Sequence, residues 1–460
     1  RVRMEKRLKD LFNEKGLDYG DVRYEQVEET EISFEGKELK QIKNSHREGG
    51  HLRIYNQGCK AVGSFSRPDE ASKTKNNLKK ASRAGSKFQE EQSRLKEAPI
   101  IQDQDHINPD DDPRDYSLSE KKELLQKYNE LVLKQDHVIN TRFTYRDFYS
   151  RRTFINSEGT EIEYDLLGSY VAGQVFAKKG DVVQTKRISF GGYPEFSNLC
   201  GRDDQVREAV EILQKMLEAE PIKAGNYPVI INPKLAAVFI HEAFGHLSEA
   251  DGIENNPAFR KKLQVGEKMG KEILTVVDDP TLAGKPGYYK YDDEGQEGQR
   301  TVLIKDGILN GRLHSRETAE SFSEPLSGNM RAVDCYFTPI IRMSNIFIDK
   351  GDSTPEELFA SIDNGYYLVN GKGGQTTGDQ FTFGAEYGYR IEDGEQKEMV
   401  RDINISGELF STLQNISMVA DDLTYNEVGG CGKGNPMQLN MFSGMGAPHI
   451  KLDQVNVGGQ

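Results

Sequence analysis

Two imidazoles and a carboxylate, His241, Glu242 and His246, sit in an otherwise apolar stretch, Tyr227-Pro-Val-Ile-Ile-Asn-Pro-Lys-Leu-Ala-Ala-Val-Phe-Ile-His-Glu-Ala-Phe-Gly-His246. Burying such groups without partners is expensive, and a divalent metal ion would compensate. The zinc-peptidase signature H-E-x-x-H places histidines at i and i+4 on one helix face. Here the spacing is H-E-x-x-x-H, one residue longer. On a regular α-helix i and i+5 lie roughly 140° apart, too far to share an ion. A single π-type turn would absorb the extra residue, and Gly245 is a residue type that tolerates such distortion. The plain alternative is two unrelated histidines in a buried helix.

The elements that must carry these groups are legible. Val229 to Ile231 reads as a short buried strand, Asn232 as a helix N-cap and Pro233 as the first helical residue. From Leu235 to Ile240 the chain is apolar without a break, which predicts a helix buried nearly all round.

Two histidines do not hold a catalytic zinc ion; a third protein ligand and an open position are needed. Glu249, Asp251, His314, Cys335 and Cys431 are the candidates. Glu249 and Asp251 follow His246 so closely that they are better placed to orient an imidazole than to bind the metal. Cys431 lies among four nearby glycines, which allow close backbone approach, and its thiolate is a good zinc ligand. That favours Cys431 only slightly. Cys59, Cys200 and Cys335 read as small buried hydrophobes.

Length and charge bound the rest. A chain of 460 residues accommodates two domains. A formal charge of −14, with no basic stripe, argues against direct nucleic-acid contact. No apolar run approaches the roughly 18 residues of a membrane span, and no apolar signal region follows Arg1. Four widely spaced cysteines suit a reducing compartment, so the expected location is cytoplasmic. Ser117-Leu-Ser-Glu120 predicts a capped helix, and long strands are expected over Val138 to Phe148 and Thr160 to Phe176. Pro221 to Asn226 reads as the linker. The fold class expected is α+β. Residues 1–221 would form a mixed helix and antiparallel-sheet domain, and residues 222–460 a strand-rich, barrel-like domain carrying the metal helix.

Several segments in this order resemble the TldD/PmbA family, long labelled modulators of DNA gyrase and understood as zinc metallopeptidases. They are His241-Glu-Ala-Phe-Gly-His-Leu-Ser-Glu-Ala-Asp251, Asp292-Asp-Glu-Gly295, Arg342-Met-Ser-Asn345, Gln414-Asn-Ile-Ser-Met418, Cys431-Gly-Lys433 and Val457-Gly-Gly459. The looser similarity extends back to about residue 20, so the resemblance covers nearly the whole chain. Two segments depart from the family's usual pattern: Cys431-Gly-Lys-Gly-Asn-Pro-Met-Gln438 and Gly328-Asn-Met-Arg-Ala332.

The resemblance implies that zinc is held by His241, His246 and Cys431, with Glu242 as catalytic base. It implies a dimer enclosing the active site, which admits unfolded or small peptides. The partner would be a second copy or a TldE/PmbA-like sister lacking the histidine motif. Competing expectations are a non-catalytic peptide-binding subunit with a structural zinc, a DNA-topology modulator, and a dipeptidyl peptidase with the same stretched motif. His314 is a weak candidate for stabilising the oxyanion.

Overall fold

A computed structural model describes residues 2–12, 16–88, 92–192, 194–440 and 442–458. The end of one segment noted in the sequence, Gly459, lies outside the described residues. A seven-stranded sheet occupies the N-terminal part, in the spatial order Cys59–Phe65, Glu38–Asn56, Tyr19–Glu35, Val138–Asn156, Glu161–Lys179, Gln102–Asp105, with Val182–Gly192 also paired to Glu161–Lys179. All pairings are antiparallel except that of Gln102–Asp105. Hairpins join the long strands, as Gly36 and Gly58 show by adopting the positive φ that tight turns require.

Helices Leu118–Leu133 and Asp203–Glu218 cover one side of this sheet. The first opens on the expected capping box, Ser117 with Glu120. Leu125, Tyr128 and Val132 enter the core, with Leu124 and Leu131 only half-buried beside them. The expected linker is short and tied down. Glu220–Pro221 pairs with Val400–Arg401, and Ile222 N donates to the Arg401 carbonyl at 2.9 Å.

Five strands beyond it close into a barrel: Gly225–Ile231, Asn364–Thr377, Gln380–Glu392, Ile403–Glu408 and Ile450–Gly458. Closure comes from Asn364–Thr377, which pairs in parallel with Gly225–Ile231 and antiparallel with Gln380–Glu392. The strand-rich α+β architecture expected from the sequence is therefore present. A second sheet includes Val276–Asp278, Asn345–Ile348 and Gly444–Ala447. The helix Pro233–Ala243 packs between the barrel and this sheet in the largest apolar cluster. Phe239 meets Phe381 and Phe383 edge-on, with centroids 5.7 and 6.0 Å away.

Candidate metal centre

The helix starts where the Asn-Pro pair predicts. Asn232 Oδ1 accepts from Leu235 N at 3.0 Å and also from Asn370 N at 3.0 Å, so the cap is fixed to a barrel strand. It ends earlier than the spacing predicts. The α-helix stops at Ala243, Phe244 still donates its N–H to the Ile240 carbonyl at 3.1 Å, and His246 rides on a 3-10 turn, Gly245–Ser248. No π-type turn forms. Across this change from α to 3-10 geometry the two rings come to 5.3 Å between centroids, nearly perpendicular at 83°. Gly245 is required for space rather than for torsion, since its φ is not positive. A Cβ there would lie 2.1 Å from Met343 Sδ and 3.0 Å from Ile346 Cδ1.

Cys431 arrives on a two-stranded hairpin, Cys431–Lys433 paired with Gln438–Asn440. The donor atoms of His241, His246 and Cys431 all lie within 4.8 Å of one another, the one such group found among the described residues. Cys431 Sγ stands 3.6 Å from His246 Nε2. A tetrahedral zinc ion with bonds of about 2.3 Å to sulfur and 2.05 Å to nitrogen separates the two donors by about 3.6 Å.

Buried His241 has neither ring nitrogen in a hydrogen bond among the described residues. A metal ion would satisfy one of them, so the donors present fit such an ion in number, chemistry and spacing. The electrostatics agree. Burial would push the Cys431 thiol up, but its contacts with His241 and His246 outweigh burial and hold it down at about 6. Burial would push His246 down, but Cys431 and Glu249 outweigh burial and raise it to about 10.

Glu242 is half-buried, and its Oε2 lies 4.0 Å from His246 Nε2, the nitrogen that faces Cys431. Glu249 accepts from His246 Nδ1 at 3.0 Å, which fixes the ring with Nε2 turned toward the thiol. Asp251 does not touch an imidazole. It instead receives Lys433 Nζ at 2.7 and 2.9 Å, and the same ammonium reaches Glu249 Oε2 at 3.0 Å and the Ile341 carbonyl at 2.8 Å. Burial would raise Glu249, but Lys433 and His246 hold it below the usual carboxylate range. Burial dominates at Asp251, which is raised.

The other candidates lie elsewhere. His314 spends Nε2 on Glu324 at 2.9 Å and Nδ1 on Thr318 at 3.0 Å, leaving no nitrogen for a metal. Cys335 is buried beneath Gly49 of the N-terminal sheet, its thiol pushed up to about 12 by burial. Cys59 is only half-buried and Cys200 is exposed, so of the three cysteines expected in a core only Cys335 is buried.

Sequence reasoning missed Lys433 as the common partner of Glu249 and Asp251. The period-2 rule could have found it, because Lys433 and Cys431 share one face of a strand. It also missed Arg342, whose Nη2 donates to the Cys431 carbonyl at 2.6 Å and whose Nη1 donates to the Gln438 carbonyl at 2.9 Å.

The family profile described as PmbA/TldA metallopeptidase C-terminal domain matches residues 224–459, the central-domain profile 111–217, and the domain 1 profile 20–86. A metalloprotease of Synechocystis sp. is 36% identical over 448 residues, covering 96% of this chain and 95% of that protein. A zinc metalloprotease TldD homolog of Saccharolobus solfataricus is 30% identical over 454 residues, covering 97% and 98%. Among solved structures, a putative modulator of a DNA gyrase from Thermotoga maritima shares the fold with a TM-score of 0.79 at 18% identity, covering 99% of this chain and 100% of that one. TldE from Thermococcus kodakarensis shares it with a TM-score of 0.75 at 20% identity, covering 100% and 98%.

Proposed function

Because the chain belongs to the PmbA/TldD metallopeptidase family, we propose that it hydrolyses peptide bonds of unfolded or small peptides, with zinc held by His241, His246 and Cys431. The convergence of these three donor atoms within 4.8 Å carries the proposal. Zinc bound there supplies Lewis acidity toward a peptide carbonyl and toward a bound water. Glu242 is the general base. Its carboxylate adjoins His241 in sequence and reaches toward His246 Nε2, so it lies beside the donor set rather than behind it. It takes the proton of the attacking water and later returns it to the leaving amine. Glu249 pairs with His246 Nδ1 and so leaves Nε2 facing Cys431, where it would be free to hold the ion.

A structural zinc site is normally closed by four protein ligands, and three are gathered among the described residues. That supports turnover over a purely regulatory role. In this reading residues 1–221 shape the substrate channel and the dimer contacts, and residues 222–460 carry the chemistry. The partner is a second copy or a TldE-like sister, which the shared fold with TldE supports. No helix of the described residues is long and apolar enough to cross a membrane, and the proposed location is the cytoplasm.

The decisive variant is Glu242→Gln. It should keep stoichiometric zinc and cleave unstructured peptides at least about a hundredfold more slowly. Cleavage at a near wild-type rate would take Glu242 out of its role.

A further inference from the structure

The hairpin bearing Cys431 pairs with no other strand among the described residues. Two short strands alone are marginally stable in water, so something outside the hairpin must fix the thiol opposite the imidazoles. We propose that Arg342 is the positioning residue for the thiol ligand: its guanidinium bridges the backbone carbonyls of Cys431 and Gln438, one on each strand, and holds Sγ toward His241 and His246. The proposal rests on the reading that Cys431 binds the metal.

Three observations carry it. First, Arg342 is 1% exposed, and among the described residues its guanidinium bonds to backbone carbonyls and forms no ion pair with a carboxylate. A buried guanidinium without a carboxylate is costly, and here its two terminal nitrogens are spent on the hairpin backbone. The guanidinium presents its donors in a rigid planar fork, so it fixes the separation of the two carbonyls; a lysine ammonium on a flexible stem can reach two acceptors but does not fix their spacing in this way.

Second, Arg342 is itself fixed by its neighbours. Its N donates to the Asn329 carbonyl at 2.9 Å, and its own carbonyl accepts from Asn329 Nδ2 at 3.1 Å. Two residues on, Ser344 donates from both N and Oγ to Asp278, at 2.8 and 2.6 Å. Asp278 ends the strand Val276–Asp278, so the hairpin is referenced to the sheet against which the metal helix packs.

Third, the hairpin answers with ties of its own to the same segment. Lys433 Nζ donates to the Ile341 carbonyl, and the Gln438 side chain accepts from Val333 N at 3.1 Å and donates to the Thr338 carbonyl at 3.0 Å. Arg342 differs from these in gripping the ligand residue itself.

The test uses the full chain with cobalt(II) as probe, because cobalt bound by a thiolate shows a sulfur-to-metal charge-transfer band. Wild type should show the band and Cys431→Ser should not; a wild type lacking it removes the ligand assignment and this proposal with it. Given the wild-type band, Arg342→Lys and the uncharged Arg342→Gln should lose most of its intensity, keep the visible bands of imidazole ligation, and bind cobalt at least about tenfold more weakly. Unchanged band and affinity in a folded variant overturn the role. Should neither variant fold, hydrogen exchange on metal-free wild type decides. Protection of the hairpin amides comparable to the adjoining strand pair Met330–Arg331 and Ile340–Ile341 supports the clasp, and exchange at the rate of free peptide overturns it.

Discussion

At the junction between the N-terminal sheet and the segment Asp292–Gly295, Arg23, Arg53 and Arg152 meet Asp21, Glu25, Asp293 and Glu294; at the metal centre, two imidazoles meet one thiol. The first cluster is buried throughout and the second is buried except for half-buried His246, and both gather side chains from distant parts of the chain. In the first, every charge touches an opposite one. Arg23 lies 3.0 Å from Asp293, Arg152 lies 2.9 Å from both Asp293 and Glu25, and Arg53 lies 2.5 Å from Asp21 and 2.6 Å from Glu294. Tyr164 adds a hydroxyl to Asp293 at 2.8 Å. In the second, His241 has no partner for either nitrogen among the described residues. A cluster that compensates itself fastens two parts of a fold together. A cluster that leaves one buried imidazole without a hydrogen bond, while its other members are paired, keeps a donor to offer a metal ion.

The largest effect that would sharpen this contrast is expected from His241→Leu. Metal affinity should fall by more than about a thousandfold, about 4 kcal/mol, because one of three ligands is gone. The metal-free variant should nonetheless unfold no earlier than metal-free wild type, since an unsatisfied polar ring has been exchanged for an apolar side chain. Calorimetry with and without zinc measures both, and a clear loss of metal-free stability would break the contrast. Next comes Arg152→Met in the ion layer. It strands Glu25 and weakens the hold on Asp293, so a loss of about 3–5 kcal/mol is expected in denaturant unfolding. Zinc affinity of the folded fraction, read by chelator competition, should stay within about twofold.

The sequence shows the metal centre far more clearly than it shows the ion layer, and the reason is locality. Asn232, Pro233 and the apolar run to Ile240 declare a buried helix within a dozen residues, and the histidines and Glu242 declare its chemistry. Cys431 is visible as a thiol in a glycine bed, although the glycines do not say which residues it faces. What is not legible depends on contacts far along the chain. The crowding of Gly245 comes from Met343 and Ile346, about a hundred residues on, whose side chains a Cβ at 245 would meet. Barrel closure depends on Asn364–Thr377 finding two partners, one of them more than a hundred residues earlier. Asp292-Asp-Glu-Gly295 stands out as a segment, yet Asp293 and Glu294 are explained only by arginines on strands near residues 23, 53 and 152, and Asp292 by the backbone N–H groups of Glu294, Gln296 and Met330.

A smaller effect tests how much the surroundings of the metal centre matter. Glu249→Gln keeps the shape beside His246 but removes the charge that orients the ring. The expected cost is a 10–100-fold weaker hold on zinc, about 1.4–2.7 kcal/mol. Lys433 keeps Asp251 and the Ile341 carbonyl in that variant, so the hairpin should stay in place. Zinc affinity equal to wild type would mean that His246 is oriented without Glu249.

An effect of similar size is one of pH, and it bears on the ion layer alone. Burial would raise Asp293, but Arg152 and Arg23 outweigh it and hold the carboxyl at about 2, against about 3.9 in an unfolded chain. A depressed folded value means that the folded state favours the ionised form. The resulting stability, about 2.5 kcal/mol, is present above pH 4 and is lost as pH falls from about 4 through 2. Asp293→Asn cannot titrate, so its denaturant midpoint should follow a flatter course than that of wild type across this window. Both proteins should be metal-free, which keeps acid release of zinc from the histidines out of the comparison. Parallel curves would mean that the charge on Asp293 does not fasten the layer, and the opposition between a self-compensated cluster and an open one would rest on geometry alone.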